Sequence, residues 1–76
     1  MVHRVQVMQA NGFVPAWYSN SMRHVITECI GDWLDDRNER MYEEMFGVKL
    51  GFRYARIDHV VFPNREAAVE FMLRWS

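Results

Sequence analysis

The fold is decided near the carboxyl end of the chain, by the stretch FPNREAAVEFMLRWS, residues 62–76. Phe62 closes an apolar run that is typical of a strand, and Pro63 and Asn64 interrupt that run. The apolar residues that follow have helical spacing and form one face: Ala67, Ala68, Phe71, Met72 and Trp75. We therefore expect a strand, a turn and an amphipathic helix in direct succession, with the last aromatic residue packed in the core.

Three stretches alternate between apolar and polar residues, as half-buried strands do. Residues 3–8 place Val5 and Val7 on one face. Residues 48–55 alternate in the same way, and residues 59–62 form a third strand. The alternation slips at residues 56–58, which predicts a tight turn or a bulge between the second and third strands.

The strongest helical pattern follows three successive N-cap candidates, Ser19, Asn20 and Ser21. Its apolar residues recur at helical spacing: Met22, Val25, Ile26, Cys29, Ile30, Trp33 and Leu34. The preceding residues 13–18 fit neither period and contain Pro15. We therefore expect a loop there, with its aromatic side chains folded onto the core.

The polar run from Asp35 to Glu39 leaves two interpretations open. Helical spacing resumes after it and ends at Gly47, a good helix stop. We prefer two helices with a break near residues 36–38. The alternative is one continuous helix of about 25 residues, which is long for a domain of this size.

The predicted order is β-α-(α)-β-β-α within a single domain, residues 1–76. Burying these apolar stripes requires an α+β fold in which helices pack on one face of a small antiparallel sheet. The arrangement corresponds to half of a ferredoxin-like fold.

Composition narrows the classes of function. The formal net charge is −1, which excludes a strongly basic or acidic protein. Cys29 is the only cysteine and lies in the apolar stripe, so we expect neither a disulfide nor a metal site. No catalytic or cofactor motif is present, and no segment is long enough to span a bilayer. We expect a cytoplasmic protein that is not an enzyme and has no cofactor.

Two groups of residues are candidates for binding a partner. Trp17 and Tyr18 are either a lid over the core, which we prefer, or anchors for another molecule. Arg53, Arg56 and Arg65 lie near aromatic residues in the sequence. Arginine beside aromatic rings on a sheet can hold single-stranded nucleic acid, although solvent-facing arginines without such a role are commoner.

The carboxyl-terminal stretch also resembles the tails of small proteins encoded by tailed bacteriophages, which end in a Phe-x-Leu-Arg-Trp helix. The resemblance covers about a quarter of the chain and depends on Phe62, Asn64, Glu66, Ala67, Ala68, Phe71, Leu73, Arg74 and Trp75. These phage proteins have no common known activity, so the resemblance does not imply a mechanism. It implies a viral origin and, with it, a site of action in the host cytoplasm.

Our leading hypothesis is a small accessory protein of phage type that binds a host macromolecule, most plausibly a protein. Its basis is the high aromatic content together with the absence of catalytic groups. The alternatives are a nucleic-acid-binding module that uses an arginine-rich and aromatic sheet surface, and a structural homodimer.

Overall fold

The computed structural model describes residues 1–28 and 35–76. In chain order its elements are β1 (His3–Gln6), α1 (Ala16–Glu28), α2 (Asp35–Phe46), β2 (Lys49–Arg53), β3 (Arg56–Phe62) and α3 (Arg65–Arg74). The predicted α+β class and element order are confirmed.

β3 is the central strand of an antiparallel sheet with the order β1-β3-β2. Phe62 pairs with His3 of β1, and Val60 pairs with both Val5 of β1 and Leu50 of β2. Because β3 is antiparallel to both neighbours, β1 and β2 run parallel to each other. This is the split β-α-β arrangement, which confirms the predicted half of a ferredoxin-like fold.

The inner face of the sheet forms the core together with aromatic side chains from all three helices. Its buried residues are Val7, Trp17, Tyr18, Val25, Tyr42, Val48, Leu50, Val60, Phe62 and Ala68. Phe71 of α3 lies at the centre of the aromatic contacts. Its ring centroid is 4.9 to 6.3 Å from those of Trp17, Tyr42, Phe46, Phe62 and Trp75.

One polar contact lies inside this core. The hydroxyl oxygens of Ser21 and Tyr42 are 2.8 Å apart, and Ser21 also donates to the carbonyl oxygen of Trp17 at 2.8 Å. Burial raises the pKa of Tyr42 to about 12. The phenol therefore stays neutral near pH 7.

The predicted loop at residues 13–18 is wrong in its second half, because α1 begins at Ala16. The carbonyl oxygen of Pro15 accepts hydrogen bonds from the amides of Tyr18 and Ser19, both at 3.1 Å. Proline suits a helix start because it has no amide hydrogen to satisfy and its φ is already near the helical value. The predicted caps at residues 19–21 are therefore inside the helix.

The predicted break at residues 36–38 is also wrong, because these residues belong to α2. Asn38 is only 7% exposed, so the polar run is not entirely at the surface. The prediction treated polarity as a sign of a loop, but a polar run also suits the exposed side of a helix. Cys29, Ile30, Trp33 and Leu34, and with them the connection between α1 and α2, lie outside the described residues.

The helix boundaries at Gly47 and Asn64 agree with those predicted from the sequence. Gly47 follows α2 with φ of 65°, a left-handed conformation that favours glycine. The Asn64 side chain caps α3 by accepting a hydrogen bond from the Ala67 amide at 2.8 Å. Trp75 packs against the core, and its carbonyl oxygen accepts a hydrogen bond of 2.8 Å from the Asn20 side chain.

Candidate functional site

The β2–β3 hairpin brings two arginines together. Tyr54 and Ala55 form its two-residue turn, with φ of 52° and 63°. Positive φ at both central positions is the geometry that matches the natural twist of a hairpin. Arg53 and Arg56 are consequently direct cross-strand partners. Two like charges are therefore held side by side next to the turn.

A bulge at Asp58 joins this hairpin to the end of β1. The register steps from Gly51 opposite His59 to Phe52 opposite Ile57, so Asp58 has no partner on β2. Its carbonyl oxygen instead accepts hydrogen bonds from the amides of Val7 and Met8, at 2.8 and 3.1 Å. The predicted irregularity near residues 56–58 is thus a bulge, and it holds the chain that follows β1 close to the hairpin.

The Asp58 carboxylate is bound on both oxygens. His59 Nδ1 lies 2.9 Å from Oδ2, and the Gln6 side-chain amide donates to Oδ1 at 2.9 Å. The hydrogen bond with His59, followed by the one from Gln6, lowers the pKa of Asp58, and the positive charge of Arg53 lowers it further. Asp58 is therefore ionised at neutral pH.

The imidazole ring of His59 lies directly against the backbone of Gly51. A Cβ atom at residue 51 would overlap Nε2 and Cε1 of this ring. Glycine at this position therefore allows the close approach of the ring, which any larger side chain would displace. Together with the hydrogen bond to Asp58, this contact fixes the ring on the outer face of the sheet.

The outer face of the sheet carries four cationic residues. Arg4 and Lys49 flank Val61 in one row across the three strands, and Arg53 faces Arg56 in another. Over the length of β3 the two rows are about 15 Å apart. All four side chains are exposed. Asp58 is the only acidic residue within the three strands, so this face has a clear excess of positive charge.

At the hairpin end, this face contains a groove of about 600 Å³. One side is formed by the hairpin and the other by the loop after β1, and the lining includes Gln6, Gln9, Gly12, Tyr54 and Asp58. The Gly12 amide donates to the Gln9 carbonyl oxygen at 2.9 Å, which closes a turn in that loop. The Tyr54 ring is 88% exposed, and the Arg53 guanidinium carbon is 5.6 Å from its centroid.

The structure brings together only some of the residues proposed from the sequence. Arg53 and Arg56 both line the groove. Arg65 begins α3, beyond the opposite end of β3, and does not join them. Trp17 and Tyr18 are 9% and 7% exposed, because the first turn of α1 directs them into the core.

Sequence reasoning named His59 as a ring close to the arginines, but it did not identify four other members of the site: Arg4, Gln6, Lys49 and Asp58. Strand alternation already puts Arg4 and Lys49 on polar faces, so this signal was available for two of them. The order in which the strands pair places those two faces side by side, and alternation within each strand does not reveal that order. The contacts of Asp58 depend on the bulge, whose exact position the sequence does not specify.

Within residues 1–28 and 35–76, no group of three or more His, Cys, Asp or Glu side chains is placed to hold a metal ion. None of the helices in the same residues has the length and apolar character needed to cross a membrane.

Comparison of the chain with protein-family models, curated proteins and solved structures found no match.

Proposed function

We propose that the protein binds single-stranded nucleic acid across the outer face of its sheet. The observation that supports this most directly is the excess of positive charge there. Arg4, Lys49, Arg53 and Arg56 are exposed on the face, whereas Asp58 is its one carboxylate. A phosphate backbone is the common macromolecular ligand that complements such a surface.

The position of Asp58 strengthens this argument. An exposed carboxylate in the middle of a basic face would repel phosphates. Here each of its oxygens already accepts a hydrogen bond, from Gln6 or from His59. These hydrogen bonds hold the carboxylate against Gln6 and His59 and occupy its oxygens, and none of the four cations forms an ion pair with it in the described part of the chain.

Two rings on or beside the face can stack on bases. The His59 ring lies against Gly51 between the two rows of cations, and the exposed Tyr54 lies in the hairpin turn. Proteins that bind single strands without sequence preference combine a basic surface with such rings. We therefore expect binding that tolerates many base sequences.

The leading hypothesis from the sequence, a host-protein partner, depended on a surplus of aromatic residues. Most of that surplus belongs to the core: Trp17, Tyr18, Tyr42 and Phe62 are buried, and Phe46, Phe71 and Trp75 pack against them. Binding to a host protein, the homodimer and the phage origin remain predictions.

The test is fluorescence anisotropy with a labelled single strand at a series of salt concentrations. If four cations contact phosphates, the slope of log K against log salt is about −2.8, because each contact on a single strand contributes about −0.7. The Arg4→Ala/Lys49→Ala double variant removes one row and should reduce the slope to about −1.4.

The matched control removes two exposed arginines from helices, Arg23→Ala/Arg65→Ala. It changes the net charge by the same amount but leaves the sheet intact, so its slope should equal that of the unchanged protein. No binding at low salt, or equal weakening in both double variants, would contradict the proposal. If the unchanged protein captured one specific host protein and the Arg4→Ala/Lys49→Ala variant did not, the protein-binding hypothesis would be favoured instead.

A further inference from the structure

The pairing of Arg53 with Arg56 is an unfavourable arrangement unless an anion lies between the two side chains. Like charges directly opposite each other on neighbouring strands destabilise a hairpin. Neither arginine forms an ion pair with a carboxylate in the described part of the chain. Asp58 is close enough to Arg53 for its pKa to respond, but its oxygens bind Gln6 and His59. The two guanidinium groups therefore retain unused hydrogen-bond donors.

A phosphomonoester matches this pair better than an internal phosphodiester does. A monoester carries a charge of about −1.5 to −2 at pH 7 and three acceptor oxygens. Guanidinium groups bind such oxygens in pairs, through parallel hydrogen bonds. Two arginines therefore balance one monoester in both charge and geometry, whereas a diester carries about half of that charge.

The space beside the pair accommodates the nucleotide that bears the phosphate. The groove of about 600 Å³ is within the range of small-molecule sites. The exposed Tyr54 ring offers a surface for the base, next to the Arg53 guanidinium. On the other side, Gln9 and Gly12 of the loop after β1 limit the groove. The groove at this end of the basic face therefore suits the terminal nucleotide of a nucleic-acid strand.

From these observations we propose that the Arg53–Arg56 groove binds the phosphorylated terminal nucleotide of a single strand. The inference rests on the proposed function, because the remainder of the strand would lie across the row formed by Arg4 and Lys49.

The experiment compares three forms of one short oligonucleotide: with a 5′-phosphate, with a 3′-phosphate, and with hydroxyl groups at both ends. We expect one phosphorylated form to bind about tenfold more tightly than the hydroxyl form, a difference typical of charge-assisted hydrogen bonds. The form that binds better assigns the polarity of the strand. A phosphopeptide of equal charge is included as a competitor.

The Arg53→Ala/Arg56→Ala variant should lose the preference for a phosphorylated end while keeping weaker, salt-dependent binding through Arg4 and Lys49. The Arg23→Ala/Arg65→Ala variant should keep the preference. Titration with inorganic phosphate, followed by NMR, supplies a direct readout. Resonances of residues 53–58 should shift in the unchanged protein and stay constant in the Arg53→Ala/Arg56→Ala variant.

The possible failures are distinguishable. Equal affinity for phosphorylated and hydroxyl ends, with salt dependence retained, would overturn the terminal-phosphate site and leave the proposed function standing. Absence of binding to every strand would overturn both proposals. Tighter binding of the phosphopeptide than of any strand would assign the groove to phosphoproteins and overturn the inference.

Discussion

The two faces of the sheet are made by the same three strands and yet differ in nearly every property. On the inner face, Val60 and Phe62 are buried among aromatic rings from the helices. On the outer face, their immediate neighbours Val61 and His59 lie between exposed cations and are only partly buried. Alternation along a strand therefore separates the residues that stabilise the fold from those free to bind a partner.

This separation means that the two faces can be changed independently. A substitution on the inner face should alter the free energy of unfolding, and one on the outer face should alter binding. Four variants test the separation, and the expected loss of stability decreases from Phe62→Ala to Arg4→Ala/Lys49→Ala.

Phe62→Ala should have the largest effect. The side chain is 2% exposed and contacts Trp17 and Phe71, with ring centroids 6.2 and 5.3 Å away. Truncation leaves a cavity and should lower the free energy of unfolding by about 3 to 5 kcal/mol, measured by chemical denaturation. Val61→Ala, at the neighbouring position on the outer face of the same strand, is the control and should cost less. Similar losses in both variants would contradict the comparison.

Gly51→Ala tests an exception to this separation, because on the outer face the His59 ring packs closely against the Gly51 backbone. The added Cβ would displace the His59 ring and weaken its hydrogen bond with Asp58. We expect a loss of about 1 to 3 kcal/mol. NMR titration should also show the Asp58 pKa rising towards its ordinary value.

A double-mutant cycle provides the control for that prediction. The Gly51→Ala/His59→Ala variant keeps the added Cβ atom but removes the ring that it would strike, so its loss of stability should be smaller than the sum of the single losses. Simple additivity would show that the ring does not restrict residue 51.

Asp58→Asn tests the linkage between pH and stability. Since the pKa of Asp58 is lower in the folded protein than in the unfolded chain, ionised Asp58 stabilises the fold above the unfolded pKa, which is about 3.9. This contribution is lost as the pH falls through the folded pKa. The melting temperature of the unchanged protein should therefore decrease more steeply between about pH 5 and pH 2 than that of Asp58→Asn. Parallel curves would contradict the assignment.

The Arg4→Ala/Lys49→Ala variant should have the smallest effect on stability. Both side chains are exposed and form no ion pair within the described residues. The free energy of unfolding should stay within about 0.5 kcal/mol of its original value, measured by thermal denaturation. A larger loss would mean that the outer face contributes to stability, and the separation would then be incomplete.

Much of the fold could be predicted because local chemistry determines it. Asn64 caps α3 as its side chain allows, Gly47 ends α2 with a positive φ, and the apolar residues of α3 pack as one face. These features depend on neighbouring residues in the sequence. Pattern analysis works well for such features.

The errors arose where tertiary contacts override a local preference. The sequence pattern makes Ser21 one of three N-cap candidates, but its hydroxyl is buried and hydrogen-bonded to Tyr42 of another helix. Tyr54 and Ala55 adopt positive φ without the Gly or Asn that usually indicates such a turn. Because this turn and the bulge position the groove, its geometry was beyond the reach of sequence patterns, although Arg53 and Arg56 themselves were identified.

The single extra residue in β3, Asp58, also determines which face of the sheet the side chains next to the hairpin turn occupy. Side chains of a regular strand change sides at every residue, so counting back from Val60 without an interruption would turn Arg56 inward and Ile57 outward. The unpaired Asp58 reverses that count, and Ile57 packs against the core while Arg56 faces solvent. Deleting Asp58 would therefore leave Arg56 and Ile57 on their present faces, because the remaining residues alternate regularly. Keeping Asp58 in a strand without the bulge would instead turn Arg56 towards the core and Ile57 towards solvent.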